Sequence, residues 1–264
     1  MRIFIQFHGG TDEMVKKWKV KIPSLAGQKS RWVYLYLPES YQHEQDRHYP
    51  VMYMFDGHNV FFDSDATYGK SWGMNQFMRR TKKQMIIVAV ECNHEGNGRL
   101  QEYAPVDFEN EHLGKINGKG KLYMQWLIGT LKPFIDSHYR TLPQREHTLI
   151  AGSSMGGLMS LYAVCEYNYV FQRAACLSPS IWIDYEKIMA LIEKANILSD
   201  TCIYMDYGSR ELDNHRENMN ALAAAAKVLL NKRVNLTLRI VPGGEHCEAS
   251  WERQIPVFMD CLDV

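Results

Sequence analysis

The sequence predicts an α/β fold: a mostly parallel central sheet flanked by helices, with antiparallel strands at its N-terminal edge. Three observations carry that expectation. Short, continuously apolar runs such as Val51-Met52-Tyr53-Met54-Phe55 and Met85-Ile86-Ile87-Val88-Ala89-Val90 suit strands buried on both faces. These runs alternate with segments at helical spacing, the pattern of parallel strands joined by crossover helices. Near the start, residues 17–22 and 31–37 alternate apolar and polar side chains, as antiparallel strands with one wet face do.

Taken in order, the two alternating runs are separated by Pro23-Ser24-Leu25-Ala26-Gly27 and followed by a polar loop over 39–49. The apolar run 51–55 ends in a turn at Asp56-Gly57-His58-Asn59. A helix is expected over 71–82, then the buried strand 85–90. Residues 92–120 are rich in Asn, Gly, Glu and Lys without a period, which marks a functional loop. One helix is expected over 122–138, then a strand, a turn and a helix around Gly152-Ser153-Ser154-Met155-Gly156. Strands near 174–177, 202–207 and 234–241 alternate with helices near 185–194, 214–231 and 248–262. No repeat or linker divides the chain, so residues 1–264 read as one domain, and the order of elements fits the α/β-hydrolase plan.

Composition narrows the function. Thirty basic and thirty acidic residues cancel, which leaves no global field to attract nucleic acid or an anionic membrane. The apolar start, Met1 to His8, is too short for a signal peptide, and no run approaches the ~18 apolar residues of a membrane span. The six cysteines show no C-x-x-C pair of a zinc or redox motif. Reduced, mostly buried thiols fit a reducing compartment, so the expected location is cytoplasmic. Neither a metal nor a cofactor is expected.

The chemistry centres on G-x-S-x-G. Its middle serine, Ser154, falls on a sharp strand-to-helix turn that lifts the hydroxyl above the sheet edge, where the new helix directs N–H groups. Such a serine needs a base to take its proton, and the base needs an acid to hold its tautomer. His147 precedes the strand and belongs to its far end, and His215 opens a helix. His246 follows the last strand through Pro242-Gly243-Gly244-Glu245, at the carboxyl end of the sheet where catalytic groups collect, and is the expected base. Glu211, just past the strand 202–207, is the expected acid, with Asp213 and then Asp206 as competitors. Asp213 can simply cap the next helix, and Asp206 sits nearer the strand body. Cys247 follows His246 but lacks a surrounding nucleophile motif. An oxyanion hole needs two N–H donors: one is expected from Met155, and the other from Gly57, His58 or Asn59 unless that segment is only a tight turn.

The chain resembles the putative esterase family of α/β-hydrolases. The resemblance is carried by residues 51–61, Arg99 with Glu102-Tyr103-Ala104-Pro105, residues 131–136, Gly152 to Gly157, Leu177-Ser178-Pro179, Gly208-Ser209-Arg210-Glu211 and His246. That family includes esterase D-like S-formylglutathione hydrolases, enterochelin-type trilactone esterases, and feruloyl and acetyl xylan esterases. The resemblance implies a triad on Ser154, Glu211 and His246, although the acid is often Asp in the family, and an oxyanion donor in the 57–59 turn. It implies a serine carboxylic-ester hydrolase working through an acyl-enzyme on a small-molecule or oligosaccharide ester, with feruloyl or acetyl esters foremost. An S-formylglutathione hydrolase-like thioesterase and a catalytically silent binding module are the alternatives. Trp182 and the loop 92–120 are candidate walls of the acyl pocket, and Arg99 with Glu102 is expected to form a structural ion pair.

Overall fold

The computed structural model describes residues 14–27, 29–111, 113–211 and 215–263. Asp213 and the run from Met1 to His8 lie outside the described residues. From the N-terminus come β1 (Val15–Lys21), the short α1 (Pro23–Ala26), β2 (Ser30–Tyr36), β3 (Val51–Met54), α2 (Met74–Thr81) and β4 (Ile86–Val90). The segment between β4 and the next main strand holds α3 (Gly98–Glu102), a hairpin of β5 (Phe108–Asn110) and β6 (Gly114–Ile116), then α4 (Gly120–Trp126) and α5 (Lys132–His138). The second half runs β7 (Thr148–Ser153), α6 (Met155–Glu166), β8 (Arg173–Leu177), α7 (Tyr185–Lys194), β9 (Cys202–Gly208), α8 (His215–Asn231), β10 (Asn235–Val241), α9 (Glu248–Glu252) and α10 (Ile255–Cys261).

Among the described residues, eight strands form one mixed sheet in the order β1-β2-β4-β3-β7-β8-β9-β10. β1 pairs antiparallel with β2, β2 antiparallel with β4, and all the remaining neighbours are parallel. The apolar runs divide by the two-residue period of a strand. Val51 and Tyr53 pack on one face with Ile86, Val88 and Ile150, whereas Met52 and Met54 pack on the other with Ile87, Ala89 and Leu149. A continuous apolar run is what a strand covered on both faces requires.

Two helices expected to be continuous are interrupted, both beside a proline. α4 passes into α5 through a π-helical turn over Leu127–Leu131, with Pro133 in the first turn of α5. Pro133 has no N–H to donate back to residue 129, so the helix loosens there instead of keeping its regular ladder. The C-terminal helix splits into α9 and α10, with Pro256 in the first turn of the latter, a position where its missing N–H costs nothing. The unpatterned loop is only partly irregular. Its short hairpin and helix lack a period because three- and five-residue elements are too brief to show one.

Candidate active site

β7 enters the centre of the sheet and α6 leaves it with a single residue between them, Ser154. Ser154 takes φ 57° and ψ −121°, a conformation strained for any residue with a Cβ. The turn is held from three sides. Ser154 N–H donates to Leu177 O at 2.9 Å, and its carbonyl accepts from Leu158 N–H at 2.9 Å and Ser180 N–H at 3.2 Å. A Cβ on Gly152 would stand 2.6 Å from the backbone of Gly156, so strand and helix approach this closely only with glycine there. The consequence is a hydroxyl raised above the carboxyl edge of the sheet, beside the N-terminus of a helix buried along nearly its whole length.

His246 arrives on the loop after β10 and Glu211 on the loop after β9. The two loops are tied together, since Arg210 N–H donates to Gly244 O at 2.8 Å and Ser209 N–H to Val241 O at 2.9 Å. His246 Nε2 lies 2.9 Å from Ser154 Oγ, and Nδ1 lies 2.8 Å from Glu211 Oε2. Trp251, buried on α9, meets the imidazole edge-on with ring centroids 5.0 Å apart. Glu211 is 3 % exposed, and its other oxygen accepts from Ser178 Oγ at 2.5 Å and Gly208 N–H at 2.7 Å. Both ring nitrogens of His246 are thus committed to Ser154 and Glu211, which leaves neither for Cys247.

The competing acids differ in placement. Asp206 accepts from Tyr204 O–H at 2.8 Å and Ser178 N–H at 3.1 Å, inside the sheet edge and away from the imidazole nitrogens. Burial pushes its carboxyl up to about 7, against those two hydrogen bonds. His147 lies at the amino end of β7, and the His215 ring packs on Tyr207 at 5.6 Å.

Opposite Ser154, the turn after β3 is built to lie close to the sheet. A Cβ on Gly57 would stand 2.7 Å from the backbone of Ala89, so only glycine admits that approach. Asp56 takes the left-handed conformation (φ 53°), its N–H donates to Tyr103 O–H at 3.1 Å, and its carboxylate accepts a two-pronged bond from Arg99 at 2.8 and 2.7 Å. Burial opposes ionisation of Asp56, but Arg99 outweighs it and holds the carboxyl below its ordinary range. His58 and Asn59 line the same cleft as Ser154 and His246. Asn59 also reaches across to α9, donating to Glu248 Oε1 at 3.0 Å.

Two expectations need correction. Arg99 and Glu102 are not partners: Glu102, 1 % exposed, takes a two-pronged bond from Arg31 of β2 at 2.5 and 2.7 Å, while Arg99 turns to Asp56. The two stand three apart on α3, but the fold brings each a partner of opposite charge from a distant segment, Asp56 of the turn after β3 for Arg99 and Arg31 of β2 for Glu102. Trp182 stands 40 % exposed on the turn after β8 and does not line the cleft. The aromatic walls are instead Phe55, Tyr68, Trp72 and Trp251. Sequence reasoning also missed the roles of Ser178 and Trp251. Leu177-Ser178-Pro179 carried the family resemblance, but only the fold shows its hydroxyl against Glu211.

The cleft holds about 610 Å³, within the range of small-molecule sites. A larger depression of about 860 Å³, lined by Tyr36, Glu39, His43, Arg79 and Lys82, lies near the amino end of β4, away from these groups. A serine on a strand–helix elbow facing an imidazole, on a sheet of this order, is the architecture of the α/β-hydrolases. Residues 24–258 match the model of the family described as "Esterase: Putative esterase", and the chain belongs to that family. It is a carboxylic ester hydrolase of the serine type.

Solved structures share the fold. The BES protein from Bacillus cereus superposes with TM-score 0.71 at 18 % identity, over 99 % of this chain and 99 % of that one. A ferulic acid esterase gives TM-score 0.70 at 16 % identity, over 94 % of this chain and 97 % of its own. The enterobactin and salmochelin hydrolase IroE gives TM-score 0.67 at 19 % identity, over 96 % and 97 %.

Proposed function

We propose that Ser154, His246 and Glu211 act as the catalytic relay of an esterase that cleaves feruloyl or acetyl esters of carbohydrates. The observation that carries this reading is the unbroken line from Ser154 Oγ through the imidazole to Glu211, at 2.9 and 2.8 Å. His246 Nε2 takes the hydroxyl proton as Ser154 Oγ attacks the acyl carbon, while Glu211 accepts from Nδ1–H and holds the tautomer. The charge on the tetrahedral oxygen is received by Met155 N–H and a backbone N–H of the 57–59 turn. The imidazolium then protonates the leaving alcohol. Water, deprotonated by the same nitrogen, releases the acid from Ser154.

The cleft wall supports a neutral, aromatic-sized acyl group. Among the described residues, the two long-chain cations of its lining are paired with carboxylates, Lys70 with Glu252 at 2.7 Å and Arg99 with Asp56, whereas a multiply anionic ester wants unpaired positive charge. Phe55, Tyr68, Trp72 and Trp251 offer aromatic surface. A second reading, siderophore trilactone cleavage, is favoured by the likeness to IroE. Purified protein assayed on methyl ferulate, p-nitrophenyl acetate, S-formylglutathione and enterobactin separates these readings. Methyl ferulate and p-nitrophenyl acetate should show the highest kcat/KM, and enterobactin or S-formylglutathione preferred by about tenfold or more would overturn the substrate assignment. All six cysteines are free, which supports a reducing, cytoplasmic location. No described helix is long and apolar enough to cross a membrane.

A further inference from the structure

We propose that His58, Cys92 and His94 form a binding site for a zinc ion on the wall of the ester cleft. One ligand atom from each of the three residues lies within 4.8 Å of the others, and all three residues line the cleft. Two imidazole nitrogens and a thiolate are the donor set zinc prefers, and an open fourth position would take water from the cleft.

In each histidine one ring nitrogen is anchored by a neighbouring side chain, the arrangement usual for metal ligands. His94 Nε2 is held by Glu91 Oε1 at 3.2 Å, and its Nδ1 faces Cys92 Sγ at 4.0 Å. His58 Nε2 is held by Thr67 Oγ1 at 3.0 Å. A carboxylate or hydroxyl on the far nitrogen fixes the ring and leaves the near nitrogen's lone pair for a cation. His58 Nδ1 is the independent sign. Its residue is 5 % exposed, yet this nitrogen has no hydrogen-bond partner, a cost a folded protein rarely leaves unmet.

Zinc ligands in a tetrahedral site stand about 3.3–3.7 Å apart, as bond lengths near 2.0–2.3 Å dictate. The cluster therefore needs to contract by roughly an ångström at its widest. The His94 side chain, half exposed, is the one free to supply that movement. Cys92 binds as thiolate, releasing its proton to solvent. A directly bound cation is what ionises a coordinating thiol. Spacing rules for zinc could not find this group, because one histidine comes from the β3 turn and the other two ligands from the loop after β4.

The test uses the purified full chain without any ester, so its failure and a failure of the esterase reading are separable. Zinc is titrated in competition with a chromophoric chelator, and Co²⁺ is added as a spectroscopic substitute. The proposal expects one equivalent of either metal and a thiolate-to-cobalt absorption in the near ultraviolet. Cys92→Ser should lose that absorption, and His94→Ala, at an exposed position that leaves the fold intact, should weaken zinc binding at least about tenfold. Circular dichroism confirms that both variants are folded. No binding at about 100 µM metal, or binding unchanged in both folded variants, would overturn the site.

Discussion

Ser178 Oγ donates a 2.5 Å hydrogen bond to Glu211 Oε1 and at the same time accepts one from Trp251 Nε1 at 3.0 Å. Trp251 in turn packs edge-on against His246. One small hydroxyl thus links the carboxylate beneath the imidazole to the indole beside it. Ser178 has φ 44°, a left-handed conformation kept in place by its N–H bond to Asp206.

Removing that hydroxyl should disturb position rather than chemistry. Ser178→Ala leaves Glu211 with Gly208 N–H but strands the buried Trp251 N–H. The expected result is a loss of about 1–3 kcal/mol in stability and a fall of roughly tenfold in kcat with little change in KM. Unaltered kcat with reduced stability would make Ser178 purely structural.

Glu211→Gln preserves size but admits the wrong imidazole tautomer. The comparable change in a serine protease lowers turnover by ~10⁴. Here a loss on the order of 10²–10³ is expected, whereas Asp206→Asn should cost less than about tenfold. Assaying both variants on one activated ester decides the assignment, and the reverse ranking would move the acid to Asp206.

Asp206 carries its own pH signature. Burial places its folded-state titration at about 7 against an ordinary 3.8, so the unfolded chain ionises first. The stability tied to the protonated form is complete below about 3.8 and is lost as pH rises toward 7. Asp206→Asn removes this titration. Its Tm relative to wild type should therefore climb between pH 4 and pH 7 and level off above. A difference independent of pH would show that Asp206 does not titrate in that window.

The Arg99–Asp56 pair clamps the turn opposite Ser154. Arg99→Ala leaves a buried carboxylate without its cation, and a loss of about 3–5 kcal/mol is expected for a pair broken this way. Exchanging both residues, Asp56→Asn with Arg99→Ala, should recover part of that loss. Thermal or denaturant unfolding of the single and double variants measures the coupling. Additive losses would mean that the two side chains do not support one another.

Much of the architecture was legible in the sequence because its signals are local. Doubly buried strands announce themselves as apolar runs, and the elbow is written in consecutive residues from Gly152 to Gly156. The alternation at 17–22 and 31–37 likewise foretold the antiparallel edge. Partner choice was not legible. Arg99 and Glu102 looked like a helical pair until Asp56 and Arg31 came near in space. Trp182 looked like a pocket wall because it is large and follows Ser178-Pro179, yet it stands 40 % exposed and apart from the residues that line the cleft. The juxtaposition of His58 with Cys92 and His94 likewise depends on two adjacent parallel strands ending at the same edge.

The central claim is that Ser154 is the nucleophile activated by His246. Its most direct test is reaction of the purified protein with a fluorophosphonate, followed by peptide mass spectrometry. The account predicts a single adduct on Ser154, and Ser154→Ala should neither label nor turn over ester while keeping the wild-type Tm within a few degrees. No adduct, or an adduct on Cys247 or Ser153 with Ser154 unmodified, would contradict it.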